Sequence, residues 1–111
     1  MNDNPAKSDQ SIVMLNALWF KPEGGRELYK QYLETALPFI HAVGGEKLES
    51  YEPDRALIGE FDADLVFFIR YPSWEAFKQF LWNEEYQATA VPIREAAISH
   101  SLLIRCRPVE I

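Results

Sequence analysis

Asp64–Ala97 reads DLVFFIRYPSWEAFKQFLWNEEYQATAVPIREAA. Within it, Leu65–Tyr71 is apolar on both alternating faces except at Arg70, the pattern of a strand covered on both sides. Pro72-Ser73 ends that strand. Ser73 predicts a helix N-cap, with Glu75 in the first turn, where a carboxylate favours the positive end of the helix dipole. Trp74, Phe77, Phe80 and Leu81 follow as one apolar helical stripe. Asn83 caps a second short helix that opens on Glu84 and Glu85, and Pro92 limits or kinks it.

Outward from this stretch, Ile98 to Arg107 predicts a last strand that Pro108 stops. Towards the N-terminus, Ile12–Phe20 (IVMLNALWF) is interrupted only by Asn16 and predicts a central strand. After the break at Lys21–Gly25, the residues Leu28, Tyr32, Leu33, Ala36, Leu37, Ile40 and Val43 recur at three-to-four spacing and predict an amphipathic helix. Pro38 falls inside it and predicts a kink or a helix in two pieces. Gly44-Gly45 predicts its end, because a helix C-terminus commonly needs a residue of positive φ. Lys47–Glu52 reads as a strand, Pro53-Asp54-Arg55 as a bend, and Ala56–Phe61 as a second extended piece. Asp62-Ala63-Asp64 then turns into Leu65–Tyr71 to complete a hairpin.

The order strand, helix, strand, strand, helix, strand is the ferredoxin-like α+β plan, a four-stranded antiparallel sheet with both helices on one face. In the first strand, Val13, Leu15, Ala17 and Trp19 are apolar on one register, and Ile12, Met14, Leu18 and Phe20 on the other. The helices cover only one of these faces, so a cover is needed for the second. A second copy of the chain supplies it most simply, giving a homodimer in which two sheets close into an α+β barrel.

The chain has 111 residues, 48% of them hydrophobic and 14% aromatic, which is enough for one core. Residues 1–11 are expected to form a disordered tail and 12–108 a single domain. Eleven basic residues stand against 17 acidic ones, a net charge of -6, and the basic residues are scattered without a run. Phosphate binding depends on clustered positive charge, so nucleic acid and anionic membrane surfaces are not expected partners. The lone Cys106 lies in an apolar strand pattern and predicts a reducing compartment. The opening MNDNPAKSDQS has no apolar core of a secretory signal, and no apolar run reaches the length that spans a bilayer. A cytoplasmic location is expected.

Pro38, the Gly44-Gly45 pair, Tyr71-Pro72-Ser73, Glu75-Ala76, Glu85-Tyr86-Gln87 and Arg94 together resemble the domain-of-unknown-function family 1330 of the dimeric α+β barrel superfamily, over about Ile12 to Arg107. The resemblance implies a ferredoxin-like subunit that forms a homodimer, with no established activity. Superfamily members include cofactor-free monooxygenases, lactone isomerases, haem-degrading enzymes and haem-binding proteins. Their active sites differ, so no catalytic residue transfers. The chain departs from the family pattern at Val43, where His or Tyr is common, and carries Gly59-Glu60 in place of a Glu-Gly.

Seven residues are candidates for a site. His41 and His100 titrate nearest neutral pH without assistance; each is either a structural hydrogen-bonded histidine or a functional one, His41 as a proton-transfer group. Arg70 is a charge at the end of an apolar strand, read as a clamp for an anionic ligand, as an ion pair with Glu60 or Glu49, or as a side chain exposed at the strand end. Arg94 has a similar double reading: it matches a position of the family pattern, yet a helix-end arginine most often pairs with a surface acid. Asn16 is an amide in an apolar strand, where an unsatisfied group costs roughly 1–3 kcal/mol, so it bonds a neighbour's backbone or a ligand. Trp19 and Tyr51, with Trp74, are walls of a flat apolar pocket or plain packing. His41 and Arg70 are thus the catalytic candidates, and Asn16, Trp19, Tyr51, Arg94 and His100 the ligand-binding ones. No metal and no cofactor is expected, since neither histidine has ligands at metal spacing and no nucleotide fingerprint is present. Three functions fit: a binder or enzyme, isomerase- or monooxygenase-like, for a small flat aromatic or anionic metabolite; a non-catalytic dimeric module; and, more remotely, a haem-binding or haem-degrading protein. For the last, Asn16 has a counterpart, but the second-helix histidine is missing.

Overall fold

Strand β1 (Ile12–Phe20) takes the centre of a four-stranded antiparallel sheet, as its two apolar registers require. It pairs on one side with β3 (Leu65–Tyr71) and on the other with β4 (Ile98–Cys106); β2 (Glu46–Tyr51) pairs with the far side of β3, giving the order β2-β3-β1-β4. Four helices complete the fold: α1 (Gly25–Ala42), α2 (Trp74–Leu81), α3 (Glu84–Thr89) and α4 (Val91–Ala97). This is the ferredoxin-like α+β fold. The computed structural model describes residues 10–111, so the tail expected over 1–11 lies, for residues 1–9, outside the described residues. Among the described residues no helix is long and apolar enough to cross a membrane.

Register assigns the two sheet faces, because residues directly opposite on paired strands share a face. Met14 opposes Ile69 and Arg105, and Asn16 opposes Phe67 and Leu103, on the face beneath the helices. The core cluster joins Met14, Phe67 and Ile69 to Tyr29 and Tyr32 of α1, Phe77 and Phe80 of α2, and Tyr86 of α3. The opposite face carries Val13, Leu15 and Ala17 of β1, Val66, Phe68 and Arg70 of β3, and Leu102, Ile104 and Cys106 of β4. Leu102 and Ile104 retain 37% and 46% of their surface. That apolar face is the one left without a helix.

The local punctuation acts as the residues dictate. The Ser73 hydroxyl accepts from the Ala76 amide at 3.0 Å, and the Asn83 carboxamide from the Tyr86 amide at 2.8 Å. Pro92 sits in the first turn of α4, where its missing N–H costs nothing, so it opens a new helix after α3. Pro38 neither breaks α1 nor splits it in two. Ala36 and Ile40, buried on either side of it, hold one face of the helix to the core, while Pro38 itself points outward.

One expected element does not form. Residues 56–61 are irregular, and β2 itself is the hairpin partner of β3 across a long connection. Leu57 and Ile58 in it are 82% and 97% exposed, so no packing rewards an extended conformation there. The connection is tied at its start by the 2.8 Å ion pair of Arg26 with Glu52, and more closely at its end. The Asp64 amide donates to the Leu18 carbonyl at 2.8 Å, the Asp64 carboxylate accepts from the Phe20 amide at 2.8 Å, and the Asp62 carboxylate accepts from the Trp19 indole at 2.8 Å.

Helix α1 ends in a Schellman motif. The Gly44 amide donates to the His41 carbonyl at 3.0 Å and the Gly45 amide to the Ile40 carbonyl at 2.9 Å, with Gly44 at φ 84°. Gly45 is needed for a different reason: a Cβ there would meet the Ile40 Cγ2 at 2.6 Å, the Ile40 carbonyl oxygen at 2.9 Å and the Tyr71 ring at 3.1 Å. Gly45→Ala is therefore expected to destabilise the fold by about 1–3 kcal/mol, as overpacking does. Urea unfolding of the variant checks this, and an unchanged midpoint would show that the end of α1 yields freely.

Candidate functional site

Between the helices and the sheet lies a cavity of about 330 Å³, at the small end of the range for small-molecule sites. Its walls are mostly apolar: Met14, Phe67 and Ile69 from the sheet, Leu33 and Ile40 from α1, Phe77 and Phe80 from α2, and Val91 from α4. Set among them are four tyrosines, Tyr29, Tyr32, Tyr71 and Tyr86, together with Arg94 and Asn16.

Each polar group is positioned by an element the sequence specifies. Tyr29 and Tyr32 are three residues apart on α1 and so share its inward face. Tyr86 is placed by the Asn83 cap, and Gln87 beside it donates to the Leu81 carbonyl at 2.7 Å, tying α3 to the end of α2. Arg94 lies on α4, half-buried, and no carboxylate among the described residues forms an ion pair with it. Asn16 is 8% exposed, and its side-chain N–H donates to the Met14 carbonyl at 3.3 Å, too long for a strong bond.

The Tyr32 and Tyr86 hydroxyl oxygens are 2.7 Å apart, a short hydrogen bond between two buried groups from different helices. Burial raises the pKa of all four tyrosines, because the phenolate loses more hydration than the phenol. Tyr32 is raised further by Tyr86 and by their shared bond. For Tyr86 the bond from Tyr32 and the Arg94 charge oppose the desolvation, and for Tyr29 the Arg94 charge and hydrogen bond do the same. Arg94 is thus the one cation of the lining, hydrogen-bonded to the Tyr29 oxygen and near enough to Tyr32 and Tyr86 for its charge to act on both, beside an apolar space.

The structure brings two of the seven sequence candidates, Asn16 and Arg94, to this cavity. His41 is exposed near the end of α1 and does not line it. Arg70 is exposed on the opposite sheet face and pairs at 3.3 Å with Glu46, its cross-strand neighbour, rather than with Glu60 or Glu49. Trp19, His100 and Tyr51 are on that same face: Trp19 and His100 are opposed, with ring centroids 4.8 Å apart, and Tyr51 opposes Val66. Trp74 stacks on Phe77 and carries the Arg105 guanidinium 4.6 Å above its ring. The four cavity tyrosines were not among the candidates. Tyr29, Tyr32 and Tyr86 hold stripe positions where Phe or Leu would serve for packing alone, and a hydroxyl there needs a partner.

The tyrosine cluster predicts how stability depends on pH. Folded-state pKa values above the ordinary value of about 10 mean that the unfolded chain releases these protons first. Their contribution is fully present below pH about 10 and is lost as pH rises beyond it. Alkaline titration is expected to ionise the four buried tyrosines together with loss of circular dichroism. Ionisation of all four with the fold intact would show that water already reaches them.

The comparisons with known proteins agree with this architecture. A protein of unknown function from Rhodopseudomonas palustris, RPA0582, is 30% identical, with a TM-score of 0.85 over 93% of this chain and 85% of that one. A dimeric ferredoxin-like protein of unknown function from Jannaschia sp. is 13% identical, with a TM-score of 0.69 over 88% of this chain and 99% of its own. SnoaB, a cofactor-independent oxygenase from Streptomyces nogalater, is 12% identical, with a TM-score of 0.65 over 92% and 96%. At that identity the last two speak for the fold alone. No curated protein matches the sequence. The model of the domain of unknown function DUF1330 matches residues 24–106, and the chain belongs to that family.

Proposed function

We propose that this protein is a homodimer that binds a small flat aromatic or anionic metabolite in the cavity between helices and sheet, and that any reaction there proceeds without a cofactor. The observation that carries the reading is the cavity itself: Arg94 and the tyrosine hydroxyls form one polar corner, while Phe67, Phe77 and Phe80 supply flat apolar walls. That pairing of a few convergent polar groups with an apolar enclosure is what small-molecule sites have in common. SnoaB has the same fold and is a cofactor-independent oxygenase, so the architecture accommodates such chemistry, although fold does not determine function.

The dimer reading rests on the uncovered sheet face, where Leu102 and Ile104 stand exposed beside Leu15 and Phe68. The Jannaschia protein of the same fold is dimeric. Trp19, Tyr51, Arg70 and His100 would then lie at or near the interface. Light scattering at micromolar concentration is expected to give the mass of a dimer, and Ile104→Glu to shift it towards monomer by placing a charge in that interface. A monomeric wild-type protein would overturn this half of the proposal.

The ligand is found by thermal shift against small aromatic acids, lactones, quinones and haem, with Arg94→Ala and Arg70→Ala in parallel. A ligand of the native state raises the melting temperature. The expected result is a shift in wild type and Arg70→Ala that Arg94→Ala loses. A shift lost in Arg70→Ala and kept in Arg94→Ala would move the site to the other face of the sheet. A second reading, a non-catalytic dimeric module, is favoured by the Arg70–Glu46 pair, which gives the strand-end charge a partner of its own. No shift with any compound would support that second reading.

A further inference from the structure

We propose that the corner of the cavity formed by Tyr29, Tyr32, Tyr86 and Arg94 is an oxyanion site that takes a flat phenolate or enolate in its ionised form, an inference that rests on the cavity being a ligand site. Three helices converge to make it: α1 supplies Tyr29 and Tyr32, α3 supplies Tyr86, and α4 supplies Arg94.

Two hydroxyls 2.7 Å apart share one hydrogen between their oxygens. The pair holds two protons, so one is committed to the internal bond and one remains to be donated to a ligand. A hydrogen bond to an ionised acceptor is about twice as strong as one between neutral groups. Arg94 contributes a full positive charge beside these donors and has no carboxylate ion pair among the described residues. The tyrosines stay protonated, since burial raises each of them, so the corner offers donors rather than competing anions. The lining holds one further phenol, Tyr71, and one carboxylate, Glu95, which is exposed at the rim.

The rest of the cavity selects the kind of anion. Its walls are Met14, Phe67, Ile69, Phe77 and Phe80, and burying a localised carboxylate against such surface costs far more than burying a neutral group. A phenolate or enolate spreads its charge over a conjugated plane, loses less hydration, and lays that plane against the rings. Donors held in place before the anion arrives are the arrangement that stabilises an oxyanion most effectively.

The test uses 4-nitrophenol, whose colour reports its ionisation, at the pH where the free probe is half ionised. Bound to the wild-type protein it is expected to be almost wholly phenolate, a change in ionisation ratio of roughly tenfold or more. 4-Nitrobenzoate is expected to bind more weakly. Arg94→Met, and separately the double variant Tyr32→Phe with Tyr86→Phe, should return the bound probe towards the neutral form. The wild-type readout stands without the variants should either fail to fold. Bound 4-nitrophenol that remains neutral, or 4-nitrobenzoate that binds at least as tightly, would overturn the oxyanion inference. In those cases the cavity would remain a ligand site, as binding of the neutral isostere 4-nitrotoluene would also show. Failure of all three probes to bind would count against both this inference and the reading beneath it.

Discussion

The fold is organised around β1, a central strand that is apolar on both of its faces. Eight of its nine residues are apolar, and it pairs with β3 on one side and β4 on the other, so its two faces have to be considered separately. One cover comes from the chain itself: α1 to α4 close over Met14, Asn16 and Leu18. Leu18 is fully buried there, and its carbonyl also holds the Asp64 amide that begins β3. The other face carries Val13, Leu15 and Ala17. A sheet whose central strand is apolar on both registers gains from a cover on its second face, since apolar area left in water forfeits about 25 cal/mol per Å².

The helix-side cover is not close-packed. Interiors of proteins leave few voids larger than a water molecule, yet here a partly open space of about 330 Å³ lies beneath the helices. Unfilled apolar space loses contacts on every lining residue. What distinguishes this space is its chemistry: tyrosines stand where phenylalanines would pack equally well, and each hydroxyl brings the cost of its own desolvation. The Tyr32–Tyr86 bond offsets that cost for two of them, and Arg94 contributes to Tyr29. A core selected for stability alone has no use for this arrangement.

Periodicity and punctuation made most of the fold legible. β1 and β3 follow from nearly continuous apolar runs, β4 from the shorter run Leu102–Ile104 ahead of Pro108, α1 and α2 from three-to-four spacing, and the helix starts from Ser73 and Asn83, whose side chains cap as their identity predicts. Residues 56–61 misled because Leu57, Ile58 and Phe61 look like strand residues. Local composition cannot register that no neighbouring strand is there to receive them. The site was legible only in part. Asn16 stood out as a polar residue in an apolar run, and Arg94 as a charge, whereas Tyr32 was absorbed into the apolar stripe by its ring, Tyr86 entered only through the family resemblance, and Tyr29 carried no signal of its own. Arg70 stood out just as clearly and lies on the other face with Glu46. A charge in a strand pattern announces that it needs a partner and does not say on which side of the sheet the partner is.

That division of faces also bears on how the two halves of the molecule communicate. Asn16 and its neighbours Leu15 and Ala17 occupy adjacent positions on one strand and project to opposite sides, one into the cavity and the others onto the uncovered face. A cover placed over Leu15, Val66 and Phe68 fixes the plane of β1, and with it the floor of the cavity on which a flat ligand would rest. A sheet free to flex would let that floor move against Arg94 and Tyr86, which are carried by short helices with few residues of their own in the core. Donors held to within a fraction of an ångström are worth far more than the same donors on a moving support. In the proposed homodimer, covering the second face would therefore help to build the proposed site on the first, although the two share no side chain.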